Sequence, residues 1–308
     1  MTTLPKRVAI VGATASGKSA VGMAVASKLI GVEVISIDSM QVYRGMSIGT
    51  AKPTPDEQQQ IRHHLIDLVE PTDEFTVAEF QTAYQRVLAD FADRNCRALL
   101  VGGTGLYHRA VIDDFTMPGE WPIVRQRLEA EITARGPQHL HARLAAIDPA
   151  AACKMEPSNA RRVVRALEVC EGSGRPFSSF GPGVDSYPDS PVAQIGLRWD
   201  RTIQAARIEI RVHAMMSAGL LAEVETLATH GLSRTAAQAL GYRELIDHLN
   251  GQKSLAEAID EIIVRTRQFA VRQERWFRRD PRVRWIDIEF DPVAEGMPTV
   301  IDAIENTS

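Results

Sequence analysis

The stretch VAIVGATASGKS, residues 8–19, decides the fold of this 308-residue chain. Residues 8–11 are a short β-branched run that predicts a buried strand, residues 12–19 fit the pattern G-x-x-x-x-G-K-[ST], and a helical pattern begins at Ser19. In that context glycines let backbone N–H groups curl around phosphate oxygens, Lys18 supplies a mobile cation, and the Ser19 hydroxyl can meet Mg²⁺. The stretch therefore predicts a P-loop that binds a diphosphate or polyphosphate through Gly12, Ala13, Thr14, Ala15, Ser16, Gly17, Lys18 and Ser19.

Outward from this loop, strand and helix patterns alternate along the chain. Further buried strands are predicted at residues 32–37, 98–101, 192–197 and 283–288. Helices are predicted at residues 19–29, 77–93, 200–229 and 254–277. Asp200 suits the N-cap of the third helix, and Ser254 with Glu257 forms a capping box for the fourth. Such alternation predicts an α/β fold with a parallel sheet covered by helices.

The middle of the chain differs from both ends. Residues 121–170 carry helical patterns without a strand candidate, and residues 172–191 contain eight Gly or Pro, which predicts a long connection. We expect a P-loop α/β core with C-terminal helices, made of residues 1–112 and 192–308. Residues 113–191 are then a mostly helical insertion domain.

The amino-acid composition indicates a globular protein and excludes several other classes. The chain is 44% hydrophobic and 24% charged with a formal net charge of −4, which is typical of a globular protein and excludes collagen-like and disordered classes. No apolar run approaches the length of a membrane span. Cys96, Cys153 and Cys170 are scattered without a C-x-x-C pair, which favours a reducing compartment over a disulfide framework or zinc site. We expect a cytoplasmic protein with no membrane partner.

Arginines cluster on predicted helix faces. Residues 261–284 carry eight arginines, whereas residues 53–93 carry nine acidic and two basic side chains. Arg207 and Arg211 lie four residues apart on one helix face, as do Arg161 and Arg165 on another. Arginine suits bidentate phosphate contacts, so an anionic partner is one explanation. An ordinary solvated helix face is the other.

Two further polar segments follow predicted strands. Asp38 begins the segment DSMQ after the second strand, at the sheet edge where ligands of parallel sheets bind. It could bind Mg²⁺, act as a general base, or cap the next turn. The third strand ends in Gly102–Gly105, a second glycine loop with Thr104, instead of the Asp expected in a nucleotide hydrolase. That absence argues against an ordinary ATPase.

Together these motifs resemble those of bacterial tRNA dimethylallyltransferases, also called tRNA isopentenyltransferases, over nearly the whole chain. The matching segments are GATASGKS at 12–19, DSMQVYRGMSIGTAKP at 38–53, HHLIDL at 63–68, VGGTGLY at 101–107, RRVVRALEV at 161–169, RIEIRV at 207–212, LGYREL at 240–245 and TRQFAVRQERWF at 266–277. The pair DS-x-QVY and GGTGLY is far more specific than the P-loop alone.

The resemblance implies transfer of a dimethylallyl group from dimethylallyl diphosphate to N6 of adenosine 37, next to the tRNA anticodon. It implies a P-loop α/β core with a helical insertion, Mg²⁺ as cofactor held at Ser19 and Asp38, and a flipped adenine. The implied catalytic residues are Lys18, Asp38, Thr104 and Arg211. The implied tRNA contacts are Asp38, Ser39, Met40, Gln41, Thr104, Arg125, Arg161, Arg162, Val163, Val164, Arg165, Gly241, Tyr242 and Arg243. We also expect a monomer.

Three other classes of protein share part of this pattern. An isopentenyltransferase acting on free AMP, ADP or ATP would share the P-loop and Asp38 but would not need the arginine-rich faces. A P-loop kinase or ATPase conflicts with the absent Asp after the third strand. A tRNA-binding protein without catalysis would need neither Lys18 nor Asp38. The tRNA contact implied near Leu240 is weakened because Gln238 stands where the family often has arginine.

Overall fold

The computed structural model describes residues 7–181 and 183–306, and a parallel β-sheet forms its centre. Within those residues six strands pair in the order β3-β2-β4-β1-β5-β6, every neighbouring pair parallel. They are β1 (Arg7–Gly12), β2 (Val32–Ile37), β3 (His63–His64), β4 (Arg97–Gly102), β5 (Val192–Trp199) and β6 (Val283–Ile288). The five strands predicted from the sequence are confirmed, whereas the two-residue β3 has no apolar run that could reveal it.

Helices connect the first four strands and cross back over the sheet. They are α1 (Lys18–Lys28), α2 (Pro55–Gln60), α3 (Val77–Arg94) and α4 (Gly105–Ile112). Helix α3 begins with a capping box in which Thr76 and Glu79 each bond the other's backbone N–H. Both predicted helices in this part of the chain, at 19–29 and 77–93, are confirmed.

A second compact unit, residues 114–186, is helical. It contains α5 (Pro122–Arg135), α6 (Pro137–Ile147), α7 (Pro149–Ala152) and α8 (Ala160–Ser173). Leu128, Leu140, Leu144 and Leu167 are fully buried in its own core. Asp113 and residues 187–191, assigned from the sequence to the insertion, lie in the larger unit, where Arg282 bonds both Asp113 Oδ1 (2.6 Å) and the Pro188 carbonyl (2.5 Å).

The C-terminal part returns to the larger unit with five helices in the described residues. They are α9 (Arg201–Ser217), α10 (Leu220–His230), α11 (Tyr242–Leu249), α12 (Leu255–Arg278) and α13 (Pro292–Asn306). The Asp200 cap and the Ser254–Glu257 capping box are confirmed. The single helix predicted at 200–229 is wrong. Gly219, with a φ of 99° in the left-handed region, ends α9 and starts α10 in a new direction.

Side chains of β1 alternate between two hydrophobic cores, one on each face of the sheet. Val8 and Ile10 pack in the core that also holds Val25 of α1 and Val300 of α13. Ala9 and Val11 pack in the opposite core with Phe80, Tyr84 and Phe277 of α3 and α12. A parallel sheet buried on both faces is what an α/β fold requires, and the predicted fold class is confirmed. None of the helices in the described ranges is long and apolar enough to cross a membrane.

Candidate active site

A cavity of about 910 Å³ opens where β1, β2 and β4 end. Parallel α/β sheets bind ligands at this edge because loops leave the strands there and helix N-termini face it. Lys18, Asp38, Thr104 and Arg211 all line the cavity, although they lie far apart in sequence. The structure therefore brings the four predicted catalytic residues together in one unit of the fold.

The P-loop has the backbone that its glycines predict. Gly12 and Gly17 have φ of 141° and 96°, and a Cβ at Gly12 would lie 2.5 Å from the Leu197 carbonyl oxygen. Ala15 adopts a φ of 62° in the left-handed region without being glycine, which costs about 1 kcal/mol. The surrounding structure must hold that strained residue in place.

Side chains from other elements bond the outer carbonyls of the P-loop. Arg207 Nε donates to the Ala15 carbonyl at 3.0 Å, and Trp199 Nε1 donates to the Ser16 carbonyl at 3.1 Å. The Arg207 guanidinium also stacks 4.3 Å from the centre of the Trp199 ring. The loop is thus fixed by protein contacts, which preorganises it for an anion.

Gln273 of α12 connects the P-loop to the second glycine loop. Its Oε1 accepts from Thr14 N at 2.8 Å, and its Nε2 donates to the Gly103 carbonyl at 2.9 Å. The side chain is only 8% exposed. Gln273 lies within the family-like segment TRQFAVRQERWF, but nothing in that segment distinguishes this polar residue of a long amphipathic helix from a solvated one. It sets the separation between the P-loop and Thr104.

Asp38 forms the turn that follows β2. Its Oδ1 accepts from Met40 N at 2.8 Å. Burial raises the pKa of Asp38, while the backbone N–H groups of Met40 and Gln41, and then the positive charges of Lys18 and Arg211, oppose that rise. A carboxylate with a raised pKa and cations nearby is a candidate proton acceptor.

Thr104 lies directly beside this turn. Its Oγ1 accepts from Ser39 N at 3.2 Å and also lies 3.5 Å from Ser39 Oγ, where either hydroxyl could donate to the other. The second glycine loop therefore places a hydrogen-bond donor next to Asp38.

Two partly buried cations face the same carboxylate. Burial, followed by repulsion from Arg211, lowers the pKa of Lys18 to about 7, and attraction from Asp38 opposes this. Lys18 Nζ donates to the Ala13 carbonyl at 2.6 Å. Burial also lowers the pKa of Arg211, which makes neither a hydrogen bond nor an ion pair with any described residue. Cations that are partly removed from water, and whose charge the protein does not fully pair, favour an anionic ligand.

Gln41 is bonded at both ends of its amide. Ser36 Oγ donates to Oε1 at 2.7 Å, and Nε2 donates to the carbonyls of Thr50 and Ala51 at 3.1 Å each. The side chain lines the cavity and holds the loop after Met46 in place. Recognition of adenine by residues 38–41 stays a prediction.

The segment LGYREL contributes backbone and one buried ring to the cavity wall. Gly241 and Tyr242 line the cavity, but Tyr242 is 0% exposed and its hydroxyl donates to Glu223 Oε1 at 2.6 Å. Arg243 is exposed and donates weakly to Gln238 Oε1 at 3.4 Å. Of these three predicted tRNA contacts, Arg243 alone presents its side chain to solvent.

The predicted tRNA contacts in the helical unit differ in their surroundings: some are exposed, some form ion pairs, and some are buried in its core. Arg125 and Arg165 form ion pairs with the buried Glu168, at 2.9 and 3.1 Å. Arg161 and Arg162 are exposed, and their side chains have no ion pair in the described part of the chain. The remaining predicted contacts, Val163 and Val164, are buried in the core of this unit, so their side chains stabilise the fold.

Ser19 and Asp38 are the predicted magnesium ligands, and both line the cavity. A hydroxyl and a carboxylate are hard oxygen donors of the kind Mg²⁺ prefers. Mg²⁺ usually takes its other ligands from water and substrate phosphates. The donor set fits a Mg²⁺ ion that is completed by a bound diphosphate.

Comparison with known proteins identifies relatives over nearly the whole chain. Residues 41–280 match the family described as IPP transferase. A tRNA dimethylallyltransferase of Nocardioides sp. is 47% identical over 298 residues, which cover 96% of each chain. That of Streptomyces coelicolor is 49% identical over 285 residues, covering 92% of this chain and 90% of the other.

Solved structures agree with this match. The full-length tRNA isopentenylpyrophosphate transferase of Bacillus halodurans is 40% identical, with a TM-score of 0.69 and coverage of 98% of this chain and 97% of the other. A eukaryotic dimethylallyltransferase acting on tRNA has a TM-score of 0.79 at 24% identity, covering 96% of this chain and 78% of the other, and shows the same fold.

Proposed function

This chain belongs to the IPP transferase family, and we propose that it transfers the dimethylallyl group of dimethylallyl diphosphate to N6 of adenosine 37 in tRNA. The observation that carries the proposal is the convergence of Lys18, Asp38, Thr104 and Arg211 on one cavity. These groups are a general base, a hydroxyl donor and two cations, the set that displacement of an allylic diphosphate by an amine requires.

Diphosphate binding is assigned to the P-loop end of the cavity. The helix N-terminus at Lys18 and the partly buried charges of Lys18 and Arg211 attract an anion with at least two phosphates. The carbon–oxygen bond of the donor breaks, and the electron pair leaves with the diphosphate. Lys18, Arg211 and the Thr104 hydroxyl stabilise the charge that grows on its oxygens. Mg²⁺ at Ser19 and Asp38 would neutralise part of the diphosphate charge.

The acceptor nitrogen bonds to the allylic carbon as that bond breaks. N6 then carries an extra proton, which the Asp38 carboxylate accepts. Asp38 lines the cavity, and its carboxylate is the base assigned to this proton. The product is N6-dimethylallyladenosine, and the proton and diphosphate balance the reaction.

tRNA affinity is assigned to phosphate contacts outside the cavity. Arg161 and Arg162 are exposed cations on one helix end and suit backbone phosphates, whereas Arg125 and Arg165 are already paired with Glu168. The adenine must leave the anticodon stack to reach Asp38, at a cost of a few kcal/mol.

All four reacting groups come from one chain, so we propose that the monomer is active. We place this tRNA modification in the cytoplasm.

Transfer from labelled dimethylallyl diphosphate to three acceptors tests the proposal. The acceptors are unmodified tRNA with adenosine 37, the same tRNA with guanosine 37, and free AMP. We expect label on the adenosine tRNA alone. Label on AMP would favour the free-nucleotide enzyme, and ATP hydrolysis without label on any acceptor would refute prenyl transfer.

A further inference from the structure

Glu223 of α10 accepts four hydrogen bonds from two other segments of the chain. Its Oε2 accepts from Ser47 N at 3.0 Å and from Ile48 N at 2.8 Å. Its Oε1 accepts from Gly49 N at 3.2 Å and from the Tyr242 hydroxyl at 2.6 Å. Three successive backbone N–H groups around one carboxylate form an anion-binding nest, and such charge-assisted bonds are strong.

The loop held by Glu223 continues into the cavity wall. Gly49, Thr50 and Ala51 line the cavity. The carbonyls of Thr50 and Ala51 accept both hydrogen bonds of the Gln41 amide nitrogen. The position of the loop therefore sets the orientation of the Gln41 amide beside Asp38.

The loop also packs directly against Tyr242. A Cβ at Gly49 would lie 2.4 Å from Cε2 of the Tyr242 ring, so a glycine is required for this approach. Tyr242 is fully buried, and Glu223 bonds its hydroxyl and the loop at once. One carboxylate thus joins the loop to the segment that begins α11.

The P-loop end of the cavity is held by different residues. Gln273, Arg207 and Trp199 bond the P-loop, and none of them bonds Glu223 or the loop at 47–51. A change at Glu223 should therefore leave the diphosphate end of the cavity in place. The two ends can be perturbed separately.

We propose that Glu223 is a positioning residue for the acceptor base, acting through the loop at 47–51 and the Gln41 amide. The inference rests on the proposed function, because it assigns the Gln41 side of the cavity to the flipped adenine. Glu223 does not touch the substrate. It keeps the wall of the base pocket in the conformation that presents N6 to Asp38.

The test compares Glu223→Gln with Glu225→Gln. Glutamine keeps the length of the side chain but turns an N–H donor toward backbone N–H donors, which breaks part of the nest. Glu225 lies two residues away on α10 and is exposed. Tyr242→Phe removes one of the four hydrogen bonds with little change in volume. It provides the test if Glu223→Gln does not fold.

We expect kcat for tRNA to fall about 10- to 100-fold in Glu223→Gln, and less in Tyr242→Phe. The Kd values for dimethylallyl diphosphate and for tRNA should stay within about threefold, because phosphate contacts supply them. Glu225→Gln should match the wild type. Equal kcat in both Glu223 and Glu225 variants overturns the inference. So does a parallel loss of both affinities with a lowered Tm, which would mark a purely structural role. A wild-type enzyme without transfer would instead refute the proposed function.

Discussion

Replacing Gln273 by methionine removes the connection between the P-loop and the second glycine loop. Methionine is close to glutamine in volume, so no large cavity is created. Thr14 N and the Gly103 carbonyl both lose their partner. A buried polar group left unpaired costs about 1–3 kcal/mol. Thr14 is half-buried, so its N–H can bond a water instead. We therefore expect the two unpaired groups together to cost about 2 kcal/mol, near the lower end of the range for two such groups.

We expect that free energy to be lost from the kcat/KM for the donor substrate, dimethylallyl diphosphate. About 2 kcal/mol corresponds to about 30-fold. We therefore expect kcat/KM for dimethylallyl diphosphate to fall about 30-fold in Gln273→Met, since the P-loop and Thr104 no longer keep their separation. The matched control is Gln252→Met, because Gln252 is exposed and does not line the cavity.

Single-turnover transfer to tRNA over a range of donor concentrations measures both the rate and the donor affinity. Far-UV circular dichroism and a thermal melt show whether each variant is folded. Folded Gln273→Met protein with transfer within twofold of the wild type would refute the positioning role of Gln273.

Three further predictions concern the reacting groups and the tRNA contacts. Asp38→Asn should lower single-turnover transfer at saturating dimethylallyl diphosphate about 10²- to 10⁴-fold, and an unchanged rate would exclude Asp38 as the base. Because the pKa of Lys18 is about 7 and the protonated form binds an anion, the Kd of inorganic diphosphate, measured calorimetrically without Mg²⁺, should rise by up to about tenfold per pH unit above 7. Lys18→Arg should remove that slope, and a slope retained in it would assign the titration to another group. Changing Arg161 and Arg162 to Gln should weaken tRNA binding and reduce its salt slope by about 2, whereas an unaltered slope would exclude both from the contact surface.

The strands were predictable because their physical cause is local. Four of the five predicted strands are short segments rich in apolar residues with a Gly or Pro directly at one end, and a sheet buried on both faces needs such segments. The fifth, residues 283–288, contains Arg284 and Asp287 and lacks that boundary. The P-loop and Asp38 were predictable for the same reason, since each follows a strand directly. The convergence of Thr104 and Arg211 on them depends on the strand order, which local patterns do not contain.

The contacts that hold the site together were not predictable in this way. Gln273 and Glu223 are polar residues within amphipathic helices, and only their distant partners give them a role. The break at Gly219 is hidden because apolar residues continue with helical spacing on both sides. Arg165 shares its sequence segment with Arg161, yet it lies beside Glu168 and forms an ion pair, whereas Arg161 faces solvent.

The most direct test of the central claim is the product of one turnover. Wild-type protein, Mg²⁺, dimethylallyl diphosphate and unmodified tRNA are mixed, and the tRNA is then digested to nucleosides for mass spectrometry while released diphosphate is counted. We expect one N6-dimethylallyladenosine, located at position 37, for each diphosphate released. Diphosphate released without a prenylated adenosine, or a prenyl group on another nucleoside, would contradict the assignment of Asp38 and the P-loop to this reaction.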